Sequence, residues 1–337
     1  MTQKLRHFLT TEDWSREELQ GMLDLASSIK KGASSKALSG KSIALVFFNP
    51  SLRTRTSFEI GAWQMGGKAV VLQPGSDAWP LEIEIGSPML GSAEEHVKEA
   101  ARVLSRYCDL IAVRAFPRFE DWTVDREDPV IRAFAAYSDV PVINMETIVH
   151  PCQELALMQT LQEKLPQPGN KKFLLTWAYH PRPLNTAVAN SALLIATKFG
   201  YDVTLLCPDK QFLLDPRYMD AAGQYADASG GSLSVTHDIE AAYRGSAFVY
   251  AKSWGALPYF GNWDAEKSLR DENKHFIVDE QKMSLTNNAL FSHCLPLRRN
   301  VQASDGVMDA GYCVAIDEAE NRLHVQKALM ATVVGQN

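Results

Sequence analysis

The sequence offers little sulphur chemistry. It holds five cysteines, Cys108, Cys152, Cys207, Cys294 and Cys313, an odd number, widely spaced and without a CxxC pair. That excludes a disulfide framework and a zinc site built on paired thiolates, and it fits a reducing compartment. No apolar run approaches the roughly 18 residues needed to span a bilayer, so no membrane partner is expected. The opening MTQKLRHFLTTEDWS has no apolar signal core. A soluble cytoplasmic protein is therefore expected. Long basic runs are also missing and the net charge is −6, so nucleic acid is not expected as a partner. Any bound anion must be met by a few local arginines. Glycine-rich phosphate cradles are absent too. There is no GxxxxGKS or GxxxxGKT, and no GxGxxG follows a strand-like run. Ordinary nucleotide binding is unsupported.

What remains is 337 residues with an ordinary hydrophobic fraction of 46%. That is enough for a sizeable core in one large or two medium domains. Residues 10–31 open on a Thr/Glu/Asp start signal, and Leu19, Met22, Leu23 and Ala26 recur at helical spacing. After a Gly/Ser-rich linker (32–40), short β-type runs alternate with helical segments. The runs are 42–48, 69–74, 109–116 and 141–146, then 171–177, 201–207, 232–238, 246–254, 275–279 and 289–296. Helix-like segments lie at 57–65, 93–107, 155–165 and 184–199, and a closing helical pattern at 318–334. The alternation predicts an α/β fold of two domains, each with a central parallel sheet flanked by helices. The expected boundaries are 1–150 and 151–317, with the polar stretch 167–172 near the junction and the last helix, 318–337, packing back on the first domain. Parallel sheets bind ligands at the carboxyl ends of their strands. In both halves polar, reactive residue types follow the apolar runs: NPSLRTRT after 42–48, Arg114, Glu146 and HPCQ, then KSWG and HCLPLRR. That pattern is the one expected of an active-site cleft between two domains.

The densest cluster is FFNPSLRTRTSFE (47–59), in which a strand-like run passes through Ser51, Arg53, Thr54, Arg55 and Thr56 into a helix start. Unpaired N–H groups and the positive end of the dipole make a helix start an anion site. Hydroxyls at Ser51 and Thr54 and the planar fork of Arg53 suit phosphate oxygens. The alternative is a surface loop whose arginines pair with nearby acids. With no glycine cradle, a small phosphate ester suits the cluster better than a nucleotide.

Three motifs in order, SLRTRT (51–56), HPCQ (150–153) and HCLP (293–296), closely resemble those of the carbamoyltransferases that act on aspartate and ornithine. The resemblance covers essentially the whole chain. Within that family it is finest to the branch that acts on N-acetylornithine. AKSWGALP (251–258) stands where the ornithine enzymes have a Ser-Met-Gly loop, with Trp254 in place of Met, and DAWP (77–80) is similar to the same branch. The resemblance implies transfer of a carbamoyl group from carbamoyl phosphate to the δ-amine of N-acetylornithine, a step of arginine biosynthesis, with no metal and no cofactor.

Carried over, the resemblance assigns carbamoyl phosphate to Ser51, Leu52, Arg53, Thr54, Trp79, Arg114, His150, Pro151, Cys152, Gln153, Cys294, Leu295 and Arg322. Arg53, Arg114, His150 and Cys294 take catalytic roles, Cys294 as a substrate contact and not as a nucleophile. Arg114 and His150 would face the carbonyl oxygen as it gains charge. Gln153 and the backbone at Cys294 and Leu295 would hold the carbamoyl NH2. Glu146, Lys252 and Leu295 would hold the acetylornithine, and Arg322, just before the final helix, would close the site. Glu94 aligns with the position that separates acetylornithine enzymes from succinylornithine ones, which have proline there. Trp79 would reach the neighbouring subunit's site, which implies a homotrimer. Trp177 and Trp263 are read as structural. One departure is Gln302, where the acetylornithine enzymes have a lysine that can be carboxylated. N-succinylornithine or ornithine as acceptor, and a non-catalytic anion-binding paralogue, are the competing readings.

Overall fold

The structure, a computed structural model, describes residues 5–165 and 171–335. It divides into two compact units. The first gathers the chain up to Pro117, Thr123–Cys152 and the chain from Arg322 onward. The second gathers Arg118–Trp122 and Gln153–Asn321. Of the junction stretch 167–172, residues 167–170 lie outside the described residues. Among the described residues no helix is long and apolar enough to cross a membrane.

The first unit is built on four parallel strands: β1 (Ser42–Phe47), β2 (Lys68–Leu72), β5 (Leu110–Arg114) and β6 (Val142–Glu146), in the order β2-β1-β5-β6. Two short strands, β3 (Leu81–Glu82) and β4 (Glu95–His96), pair separately. The inner strands are apolar almost throughout because a parallel sheet is covered on both faces. Ala44, Val46, Ile111, Val113 and Val142 pack with Ile131 and Phe134 of the helix Pro129–Tyr137 into one core. Each of the valine, isoleucine and phenylalanine side chains among them, fully buried, contributes about 1.5–3 kcal/mol. Strand order reverses between β1 and β5, since β1 leads outward to β2 and the chain then returns to β5 on its other side. In open parallel sheets that reversal is where ligands are taken.

The second unit has five parallel strands: β7 (Lys172–Trp177), β8 (Asp202–Leu206), β9 (Ser232–Thr236), β10 (Phe248–Lys252) and β11 (Leu290–Ser292), in the order β11-β10-β7-β8-β9. Here the reversal lies between β7 and β10. Phe173 and Phe248 stack at 5.6 Å, and the helix Ala187–Lys198 is buried along its whole length. Trp177 and Trp254 are both in this core. Trp177 Nε1 donates to the Trp254 carbonyl (2.9 Å), and Trp254 Nε1 donates to the Phe212 carbonyl (2.8 Å). Trp263 packs on Phe119 and Phe260.

Four local expectations are corrected. The run 275–279 forms a 3-10 turn, Lys274–Phe276, and only an isolated bridge from Val278 to Ala303. Its apolar residues Phe276 and Val278 are anchors in a loop, and Asp279 already caps the next helical turn by accepting from the Lys282 N–H. The segment 93–107 is helical only from Val97, because extended His96 serves as the cap and accepts from the Lys98 N–H. The helix expected from residue 57 begins at Arg53. Arg322 does not precede the final helix: that helix runs Ala315–Gly335, with Asp317 and Glu318 in its first turn.

Candidate active site

In the first unit the loop after β1 ends in the helix Arg53–Gln64. Ser51 Oγ accepts from the Thr54 N–H (3.1 Å), and the first turn carries Arg53, Thr54 and Arg55 with no acid. The positive end of this helix therefore favours an anion. The cluster separates on inspection. Arg55 pairs with Glu59 at the surface (3.2 Å), as the surface-loop alternative has it, while Thr54 is 2% exposed. Leu52 is 76% exposed.

Thr54 Oγ1 is the point on which two arginines converge. It accepts from Arg322 Nη2 (2.9 Å) and from Arg114 Nη1 (3.3 Å). Arg114 is the last residue of β5, and the strand register sets it beside Glu146, the last residue of β6, across a bulge. Their side chains meet at 2.6 Å, and His150 Nε2 lies 3.5 Å from the same carboxylate oxygen. Glu146 thus braces Arg114 and His150. Burial lowers the pKa of the Arg322 guanidinium. Cys152 and Glu146 oppose that shift, and the positive charges of Arg114 and Arg53 add to it. Such crowding of like charge is unfavourable until an anion arrives, and phosphate oxygens would relieve it. With its amide oxygen turned to the guanidinium, Gln326 accepts from Arg322 Nη2 (3.0 Å) and Nε (3.2 Å). Pro151 opens the helix Pro151–Lys164, as proline favours at a first position, and Cys152 Sγ is buried against the Asn144 carbonyl. Glu94 is exposed just before β4, and Trp79 is 65% exposed in the loop before β3.

In the second unit the candidates collect at the ends of β10 and β11. Lys252 closes β10, and its carbonyl accepts from the Ala178 N–H beyond β7 (2.9 Å). His293 and Cys294 follow β11 and are buried. His293 Nδ1 accepts from the Leu295 N–H (2.8 Å). Leu295 itself has φ +53, a left-handed conformation that non-glycine residues adopt mostly at turns and functional sites. With the Leu295 N–H engaged, what this loop has to offer a donor NH2 is its carbonyl oxygens. Gln302 is buried. Its amide nitrogen donates to Ser253 Oγ (2.9 Å) and lies 3.3 Å from His293 Nε2, and its oxygen accepts from the Arg298 N–H (2.8 Å). His180, beyond β7, has its pKa lowered by burial first; Arg182's backbone opposes, and the charges of Arg298, Lys252 and Arg270 lower it further.

Sequence reading missed one residue of this cluster. Glu318 is fully buried and accepts from Gln153 Nε2, from Tyr250 Oη (2.9 Å) and from Ser292 Oγ. A carboxylate that opens the helix-like pattern 318–334 reads as an ordinary first-turn acid.

Comparison with known proteins also divides the chain in two, with the boundary falling after residue 163. Residues 6–163 match the family described as aspartate/ornithine carbamoyltransferase, carbamoyl-P binding domain, and residues 175–333 match its Asp/Orn binding domain. The N-acetylornithine carbamoyltransferase of Xanthomonas campestris pv. campestris is 66% identical over 335 residues, 99% of each chain. A crystal structure of acetylornithine transcarbamylase complexed with acetylcitrulline superposes with a TM-score of 0.96 at 66% identity, covering 98% of this chain and 99% of that one. A single-site variant of N-acetyl-L-ornithine transcarbamylase, complexed with carbamyl phosphate and N-succinyl-L-norvaline, gives 0.96 at 65%, covering 98% and 100%. With both halves matched in order and at this identity, the chain belongs to the aspartate/ornithine carbamoyltransferase family.

Proposed function

We propose that the chain transfers the carbamoyl group of carbamoyl phosphate to the δ-amine of N-acetyl-L-ornithine, giving N-acetyl-L-citrulline and phosphate in arginine biosynthesis. The observation that carries the reading is the convergence of Arg114 and Arg322 on Thr54 at an acid-free helix start. Two solved structures covered almost end to end, one with acetylcitrulline and one, a single-site variant, with carbamyl phosphate and N-succinyl-L-norvaline, support the substrate pair.

The reaction forms one C–N bond and breaks the C–O bond to phosphate. The nucleophile is the substrate's own amine, so the enzyme supplies placement and charge. By analogy with lysine, about one such amine in 10³ is neutral at pH 7. The site must favour that form or remove a proton during attack, and the departing phosphate is a base within reach of it. Ser51, the Leu52 backbone, Arg53, Thr54 and Arg322 hold the phosphate. Arg114 and His150, braced by Glu146, meet the carbonyl oxygen as it gains charge. The Gln153 amide oxygen and the Cys294 and Leu295 carbonyls take the carbamoyl NH2. Glu146, Lys252 and Leu295 hold the acetylornithine, and Glu94 selects the acyl group.

The assembly proposed is a homotrimer in which Trp79 completes the neighbouring site. Trp79 is too exposed for a core residue, and Trp63 (70% exposed) lies one helical turn from half-exposed Ile60 on the helix Arg53–Gln64. A second copy of the chain would cover that apolar face. A cytoplasmic location is proposed from the odd number and wide spacing of the cysteines.

The test is parallel carbamoylation of N-acetylornithine, N-succinylornithine and ornithine with carbamoyl phosphate as donor. Turnover with N-acetylornithine alone is expected. Preference for succinylornithine would overturn the role of Glu94, and preference for ornithine that of the Lys252 segment. Carbamoyl phosphate binding without turnover of any acceptor would overturn the activity.

A further inference from the structure

We infer that Glu318 is a positioning residue that fixes which face of the Gln153 amide meets the substrate. The inference rests on the reading above, in which Gln153 holds the carbamoyl NH2.

A glutamine amide can be turned either way, and its two ends are chemically opposite: the nitrogen only donates and the oxygen only accepts. The carbamoyl NH2 is a donor, so only the oxygen of Gln153 can hold it. In the reversed orientation two NH2 groups would face each other, and the amide would repel the group it is meant to bind. Some acceptor must therefore pin the nitrogen. Glu318 does this. An ionised carboxylate is acceptor-only, and Gln153 Nε2 donates to its Oε1. The amide oxygen is thereby set on the opposite end of the group.

The surroundings hold the carboxylate itself in place. Tyr250 and Ser292 are register partners across β10 and β11, and both hydroxyls donate to Glu318. Ser292 precedes His293 and Cys294, and Tyr250 stands two residues before Lys252. Glu318 also sits in the first turn of the helix Ala315–Gly335, where the dipole favours negative charge. One buried carboxylate thus ties the start of the Gln153 helix to the two strands whose ends carry the other substrate contacts. A purely structural carboxylate would need none of this directionality, because any hydrogen-bonding isostere would fill the space.

The experiment is a double-mutant cycle on the full-length enzyme with Glu318→Gln and Gln153→Ala, read as kcat and KM for carbamoyl phosphate. Glu318→Gln can itself present an NH2 to Gln153, so the amide is free to turn. Its kcat/KM is expected to fall roughly ten- to a hundredfold, the size of one hydrogen bond to a charged group. In the Gln153→Ala background the same change should cost less than about threefold, since the amide it acts through is gone. Equal losses in both backgrounds, or wild-type kinetics for Glu318→Gln, would overturn the inference. If Glu318→Gln fails to fold, Glu318→Asp keeps the charge, draws it back by one methylene and is read in the same two backgrounds. The wild-type control separates the two readings. No turnover by wild type would refute the proposed function and the inference with it, whereas an active wild type with an uncoupled pair refutes the inference alone.

Discussion

Replacing Thr54 by valine tests the anion site at its centre. The substitution keeps the branched shape and removes one oxygen. That oxygen accepts from Arg322 Nη2 at 2.9 Å and from Arg114 Nη1 at 3.3 Å, and the residue is almost wholly buried. A buried charged donor that loses its acceptor costs about 1.5–3 kcal/mol. The 3.3 Å contact is beyond the usual N–H···O distance and counts for less. Arg322 keeps Gln326 and Arg114 keeps Glu146. A total near 2–3 kcal/mol follows from one full bond and part of a second. For a unit of this size each kcal/mol moves the melting temperature by about 2–4 °C, so a fall of roughly 4–12 °C is expected. The two guanidinium groups also lose their common tether, so KM for carbamoyl phosphate should rise roughly tenfold, the equivalent of about 1.4 kcal/mol. Scanning calorimetry without ligand gives the first number and initial rates with saturating acceptor give the second. A melting temperature within about 1 °C of wild type, together with an unchanged KM, would show that the Thr54 hydroxyl does not hold the arginines, and the account of the phosphate site would fail.

Three further outcomes are expected. Trp79→Ala should keep the wild-type circular dichroism spectrum and lose carbamoyl phosphate affinity, because the exposed indole has no core to vacate; full activity in this variant would sink the shared site. Gly261→Ala should lower unfolding stability by roughly 2–4 kcal/mol. Gly261 has φ +82, and an added Cβ would lie 2.2 Å from the Glu120 carbonyl oxygen, so these two backbone segments of the second unit pack tightly on each other. A loss below about 1 kcal/mol in urea titration would contradict that packing. Burial pushes the Cys207 thiol up to about 12. Only about one in 10⁴ is then thiolate at pH 8, so iodoacetamide should modify it roughly a thousandfold more slowly than an ordinary thiol until the protein is unfolded. Rapid labelling of native protein at Cys207, located by peptide mass, would refute the burial argument.

How much of this was legible beforehand depends on how far apart the interacting residues are in the chain. Strands and helices are written in short-range periodicity. The alternation of apolar runs with helical segments therefore located the parallel strands to within a residue or two, apart from 275–279 and the end of 289–296, where the strand stops at Ser292. The run 275–279 was apolar for another reason: Phe276 and Val278 anchor a loop, and alternation alone cannot tell an anchored loop from an edge strand. Motifs confined to one strand end were legible too, because SLRTRT, HPCQ and HCLP each lie within a few consecutive residues. The braces were not. Arg114 and Glu146 stand beside each other only because β5 and β6 pair in a bulged register. Arg322 reaches Thr54 only because the helix containing it starts at Ala315 and returns to the first unit. Glu318 and Gln153 are 165 residues apart, and neither residue type, taken where it stands, differs from a solvated helix acid or an ordinary helix glutamine. A buried polar group declares itself through its partners, and partners are a tertiary property. The proposed chemistry is accordingly readable from the motif residues, while their orientation is set by side chains whose importance appears only once the fold has brought them together.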